Sequence, residues 1–76
     1  MIKLEIKETV SYQIGIYTTV TDTLIFESEK DLKKYLLEYE SFKGDYLNED
    51  DINELLQTGY SKNEYLKITL RILERS

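Results

Sequence analysis

The period of the hydrophobic residues changes within TLIFESEKDLKKYLLEY, residues 23–39. Through Phe26 the apolar residues follow one another as in a β-strand, and beyond it they recur at the spacing of one helical face, at Leu32, Tyr35, Leu36 and Tyr39. Ser28 stands three residues before Asp31, which resembles a capping box with Asp in place of the usual Glu. The sequence therefore predicts a helix that begins after Ser28 and ends near Phe42.

Upstream of this helix the sequence predicts three strands joined by short turns. Residues 2–7 alternate aliphatic and charged side chains, the period of a strand with one buried face. A second strand runs from about residue 10 to residue 20, and one of its faces carries Val10, Tyr12, Ile14, Ile16 and Thr18. We expect residues 21–22 to break this run and residues 23–27 to form a third strand, so that the three make a meander.

A second helix and a last strand are predicted downstream. Asn48 is a good N-cap, the acids after it suit the positive end of a helix dipole, and Gly59 marks the end. Alternating aliphatic residues then predict a strand from Tyr65 to Leu73. The order β-β-β-α-α-β predicts an α+β fold, a four-stranded antiparallel sheet with the last strand beside the first and two helices packed on one face.

The composition indicates one small folded domain and excludes several kinds of catalysis. A chain of 76 residues has room for one hydrophobic core, so we predict a single domain over residues 1–76. The sequence contains no cysteine and no histidine, which excludes disulfides, thiolate metal sites and Ser-His-Asp triads. Its three glycines are too far apart for a phosphate-binding loop. We therefore predict a protein that is not an enzyme and takes no cofactor.

A carboxylate pair could still cleave a glycosidic bond, or acids could hold magnesium. The acids dense enough for either are Asp45, Glu49, Asp50 and Asp51. Leu47 and Ile52 fall where a calcium loop needs ligands, and no glycine stands at its turn position. The sequence therefore does not predict a metal site.

The sequence also predicts where in the cell the protein is found. Residues 1–7 lack the unbroken apolar stretch of a signal peptide, and no later run approaches the roughly 20 apolar residues of a membrane span. A chain without cysteine also suits a reducing compartment. We predict a cytoplasmic protein with no membrane partner.

The negative charge is concentrated in one segment. The net charge is −5, and residues 44–61 hold five acids without any Lys or Arg, which leaves ten acids and ten bases elsewhere. These acids either cap a helix and add solubility, or they bind a basic partner. The candidate partner-binding residues are Asp45, Tyr46, Glu49, Asp50, Asp51, Glu54 and Tyr60. Carboxylates at such spacing can imitate phosphates and occupy the groove of a nucleic-acid-handling protein.

Two alternatives remain open. One face of the predicted sheet carries Lys3, Lys7, Lys67 and Arg71 beside Tyr17 and Tyr65. Basic and aromatic groups together can hold single-stranded nucleic acid, although Glu5 shares this face and the motifs of an RNA-recognition domain are absent. The other alternative is a structural protein that pairs through an exposed edge strand, with itself or with another chain.

The strand meander, the following helix and the acidic turn at residues 48–52 resemble a group of small acidic proteins from phages and mobile elements. The group includes anti-CRISPR proteins and DNA mimics that block host nucleases. The resemblance concerns architecture and charge and involves no diagnostic motif, so no binding residue is carried over from it. It implies a non-enzymatic inhibitor that docks on a basic protein surface, with no direct contact to nucleic acid.

Overall fold

Four strands form one antiparallel sheet, and two helices lie in the chain between the second strand and the third. The computed structural model describes the backbone of all 76 residues and every side chain except that of Tyr12. The elements in chain order are β1 (Ile2–Gln13), β2 (Ile16–Phe26), α1 (Glu29–Leu37), α2 (Glu49–Thr58), β3 (Tyr60–Asn63) and β4 (Ile68–Arg75). Their spatial order in the sheet is β2-β1-β4-β3. The α+β class, the four-stranded antiparallel sheet and the pairing of the last strand with the first are confirmed.

The order of the elements differs from the prediction in the first hairpin. β1 extends to Gln13, and the chain reverses at Ile14 and Gly15, where the φ of Gly15 is +83°. The predicted break at Thr21 and Asp22 is wrong, because both residues pair with β1 inside a continuous β2. A strand at the edge of the sheet leaves its side chains largely in water, so polar residues do not interrupt it. The sequence also places the Tyr12 side chain on the same strand face as Val10, but this side chain lies outside the described residues.

The C-terminal half contains a strand that was not predicted. Residues Tyr60–Asn63 form β3, which pairs with β4 and occupies the edge opposite β2. β4 begins at Ile68 and not at Tyr65, because Lys67 has a φ of +59°, a left-handed conformation that regular strands do not contain. The element order is therefore β-β-α-α-β-β.

Both predicted helix N-caps are confirmed, whereas α1 is shorter than predicted. The Ser28 hydroxyl accepts a hydrogen bond from the backbone N–H of Asp31 at 3.2 Å, and the Asn48 side chain accepts one from Asp51 at 2.8 Å. Such caps stabilise a helix by about 1 kcal/mol each. α1 ends at Leu37 and not near Phe42, because the chain then doubles back on itself in a tight loop.

One face of the sheet carries the hydrophobic core and packs against both helices. The core residues are Ile2, Leu4, Ile6, Leu32, Leu36, Leu47, Ile52, Leu55, Leu66, Ile68 and Leu70. Burying each such side chain contributes roughly 1.5–3 kcal/mol to folding. The opposite face of the sheet, called the open face below, carries the side chains that alternate with these core residues. Helix packing on a single face therefore leaves the open face and the two sheet edges for contacts with other molecules.

Candidate functional site

A tight loop before α2 positions the first two residues of the predicted site. Glu40 pairs with Tyr46 in an isolated antiparallel bridge, which closes the loop. The backbone N–H of Ser41 donates to the Asp45 carbonyl at 2.8 Å, and the Ser41 hydroxyl accepts from the Asp45 N–H at 3.1 Å. Ser41 is buried, so the loop is held from inside while Asp45 and Tyr46 are exposed.

The first two turns of α2 carry the other acids. Glu49, Asp50 and Asp51 follow the Asn48 cap, where the positive end of the helix dipole stabilises negative charge by about 0.3–1 kcal/mol per group. Glu54 stands four residues after Asp50 and therefore lies on the same side of the helix. The helix is anchored by Ile52 and Leu55, both fully buried.

The exposed acids are not neutralised by bases. Asp45, Glu49, Asp50 and Glu54 are all exposed. Among the side chains that the structure describes, the ion pairs join Lys7 to Glu5, Lys62 to Glu64 and Arg75 to Glu29, and none includes these four acids. We call Asp45, Tyr46, Glu49, Asp50 and Glu54 the acidic surface.

Two predicted site residues differ from the rest. Asp51 is half-buried and accepts a hydrogen bond from the Asn63 side chain at 2.8 Å, so it ties α2 to the end of β3. Tyr60 follows the far end of α2, about 15 Å along the helix axis from its first turn. It pairs with Arg71 on the open face, and the Arg71 guanidinium lies 5.9 Å from its ring centre. Tyr60 is therefore separated from the acidic surface, and Asp51 is part of the scaffold.

The open face carries mixed charge in rows that cross the sheet. One row contains Thr23, Glu5, Arg71 and Tyr60, and the next contains Thr21, Lys7, Thr69 and Lys62. The Lys7 ammonium lies 3.7 Å from the Glu5 carboxylate. Tyr65 and Lys67 both lie in the turn before β4. The Tyr65 ring stands 4.9 Å from the Lys43 ammonium and not among the open-face residues, whereas Lys67 lines a shallow pocket with Thr9, Lys62 and Thr69 at the end of this face.

The two edges of the sheet are unequal. The edge strand β3 has four residues and includes Lys62, both of which oppose pairing with another strand. The edge strand β2 has 11 residues, contains no proline and no lysine, and has Asp22 as its single charged residue. All of its side chains are exposed except Leu24 and Phe26, which are half-buried.

A buried carboxylate on β1 was missed in the sequence. Glu8 is 7% exposed and lies on the core side of β1. One carboxylate oxygen accepts from the Tyr39 hydroxyl at 2.8 Å, and the other accepts from the backbone N–H of Phe42 at 2.6 Å. Burial, and then the hydrogen bond to Glu8, raise the pKa of Tyr39 far above its ordinary value. The alternation of residues 2–10 already placed Glu8 on the apolar side of the strand, and this was the available signal.

Further features bear on the chemistry of these surfaces. Among the residues whose side chains the structure describes, no three acids lie close enough together to hold a metal ion. Neither helix is long and apolar enough to cross a membrane. Comparison with protein-family models, with curated proteins and with solved structures found no match to this chain.

Proposed function

We propose that this chain is a non-enzymatic protein-binding domain whose acidic surface docks on a basic surface of a partner protein. The partner class that fits best is a nucleic-acid-handling protein, because its Lys and Arg groove is built to receive a row of anionic groups. Bound there, the domain acts as an inhibitor that excludes nucleic acid by imitating its phosphates.

The observation that carries this proposal is the set of four exposed acids without ion-pair partners: Asp45, Glu49, Asp50 and Glu54. Carboxylates that no ion pair neutralises keep the local potential negative, which at low salt speeds the encounter with a basic surface. Tyr46 is 56% exposed beside them and offers the rigid aromatic contact that is enriched in protein interfaces.

Binding of single-stranded nucleic acid on the open face has weaker support. Glu5 lies in the middle of that face, between Arg71 on β4 and Thr23 on β2, and it pairs with Lys7. A strand of phosphates laid across the sheet would meet this carboxylate. Retention of mixed RNA on a filter at low salt would nevertheless be evidence that the open face binds nucleic acid.

A charge-reversal variant tests the acidic surface. Asp50→Lys and Glu54→Lys replace two exposed acids on one side of α2 and leave Asp51 in place, whose hydrogen bond to Asn63 belongs to the fold. The tagged wild-type protein is used to capture partners from lysate at low and at high salt, and retained proteins are identified by mass spectrometry. We expect a basic partner that is lost at high salt and that the double variant no longer retains, because like charges would now face each other.

The matched control places the same two charges elsewhere. Glu27→Lys and Glu74→Lys change the net charge equally, at exposed positions that follow Phe26 and pair with Lys3 at the opposite end of the sheet. Circular dichroism and urea unfolding check that both variants fold. Equal loss in the two variants would mean that only net charge matters, and an unchanged or salt-resistant capture by the α2 variant would contradict the proposal.

A further inference from the structure

The outer side of β2 is the longest unpaired backbone edge of the sheet. Its 11 residues pair with β1 on one side, while the other side has no neighbouring strand in the part of the molecule that the structure describes. Natural proteins usually protect such an edge with lysine, proline, a bulge or a charge that points inward. β2 has no lysine, proline or bulge between Ile16 and Phe26, and Asp22 is the one charge on its core side. Its β-branched and aromatic residues favour pairing with another strand.

We propose that β2 pairs with β2 of a second copy of this chain, antiparallel and about a two-fold axis at Thr21. Thr21 is the midpoint of Ile16–Phe26, so this register pairs every residue of the strand. The side-chain period is preserved, and the helices of both copies lie on the same side of a continuous eight-stranded sheet. The interface is isologous and closes at two chains, because the remaining free edges are the short β3 strands.

The side chains that this register brings together on the open face form stabilising pairs. On the open face Tyr17 meets Ile25, Thr19 meets Thr23, and Thr21 meets its own copy. Aromatic with β-branched pairs and Thr with Thr pairs are stabilising cross-strand combinations. On the core side Ile16 meets Phe26, Thr18 meets Leu24, and Val20 meets Asp22.

The charge distribution also permits a second copy at this edge. The two Asp22 residues are diagonal neighbours about 8 Å apart and not directly opposite each other, and at this distance, close to the Debye length at physiological salt, part of their repulsion is screened. α2, with its acids, packs against β3 and β4 at the opposite side of the sheet. The two acidic surfaces therefore lie at the outer ends of the dimer, where their mutual repulsion is smallest.

Light scattering coupled to gel filtration tests the pairing over a dilution series from micromolar to millimolar protein. We expect the wild-type mass to rise from one chain to two and to go no further. Thr21→Lys should weaken the dimer about tenfold or more, because two like charges then meet at the axis beside the Lys7 ammonium of each chain. Thr21→Glu should weaken it less, because Lys7 lies opposite residue 21 in the same chain and offsets part of the repulsion. Gln57→Lys is the control, since it adds the same charge at an exposed position of α2.

An equal mixture of Thr21→Lys and Thr21→Glu provides the sharpest readout. Across the interface residue 21 faces only its own copy, and within each chain it lies opposite Lys7. The mixture should therefore restore the two-chain mass through a Lys–Glu pair across the axis. A wild-type mass of one chain at every concentration would overturn the proposal, as would dimers that the Thr21 variants leave intact. A monomer that binds a foreign peptide strand along β2 would also overturn it, by assigning the edge to another partner.

Discussion

The Glu8 carboxylate is one of the few polar groups in the apolar interior. A buried carboxylate is tolerated when hydrogen bonds replace its lost water, and both oxygens of Glu8 are bonded, to Tyr39 and to the backbone of Phe42. These partners are 31 and 34 residues away in the sequence. Strand alternation alone could predict that Glu8 is buried, but its partners depend on where α1 ends and how the following loop returns to β1.

Removal of the Tyr39 hydroxyl should destabilise the fold in a pH-dependent way. Tyr39→Phe leaves one oxygen of Glu8 unpaired, so we expect the free energy of unfolding at pH 7 to fall by about 1–3 kcal/mol in urea titrations. Tyr35→Phe is the control, because the Tyr35 ring packs 5.3 Å from that of Phe26 and its hydroxyl is not bonded to Glu8. A smaller loss for Tyr39→Phe than for the control would contradict the assignment.

The pH dependence follows from the raised pKa of Tyr39, which burial and then the Glu8 contact produce. The folded state holds the phenol proton more tightly than the unfolded state, in which tyrosine titrates near pH 10. The contribution is therefore complete below about pH 10 and is lost as the pH rises towards the folded pKa. Unfolding titrations at alkaline pH should show the gap between wild type and Tyr39→Phe narrowing, and a constant gap would exclude the linkage.

At the scale of elements, the sequence predicted correctly those features that depend on contacts between residues close together in the chain. Ser28 and Asn48 cap their helices through bonds to residues three positions later, so the sequence contains both partners. The first hairpin was predicted wrongly because residues 10–26 have strand character throughout, and the reversal at Gly15 lacks a strong turn pair. The sequence does not predict β3, because four residues are too few to show the alternation of apolar and polar side chains that marks a strand. Their conformation depends on pairing with β4.

The C-cap of α2 gives a test at this scale. Gly59 has a φ of +82°, and a Cβ added there would meet no atom within 4 Å, so the cost of a side chain is backbone strain alone. Gly59→Ala should lower the free energy of unfolding by about 1–2 kcal/mol, and Gly59→Asn by less, because asparagine adopts the left-handed region more readily. Urea titration measures both variants. Equal stability of Gly59→Ala and wild type would contradict the argument from strain.

For the whole molecule, the sequence predicted which segment holds the net charge. It did not predict that Tyr60 lies on the open face or that β2 forms a long free edge of the sheet. The acids of residues 44–61 all lie between Asp45 and Glu54 in the chain, and the cap at Asn48 places most of them in the first two turns of α2. Tyr60 belongs to the same segment but lies on the open face, because β3 pairs there with β4. The long edge of β2 follows from the strand order, which no local pattern encodes.

The two proposed interfaces make a joint prediction about avidity. A dimer joined at β2 carries two acidic surfaces at its outer ends, so it can bridge two basic sites on one support. An arginine-rich peptide immobilised at high density should therefore retain the wild type at least roughly tenfold more tightly than the same peptide at low density. Thr21→Lys should lose this dependence on density while keeping its low-density affinity, and the variant with Asp50→Lys and Glu54→Lys should bind weakly at both densities. Surface plasmon resonance measures all three proteins. If Thr21→Lys kept the density dependence, the avidity would have to arise from a different assembly, even with the acidic surface as the binding site.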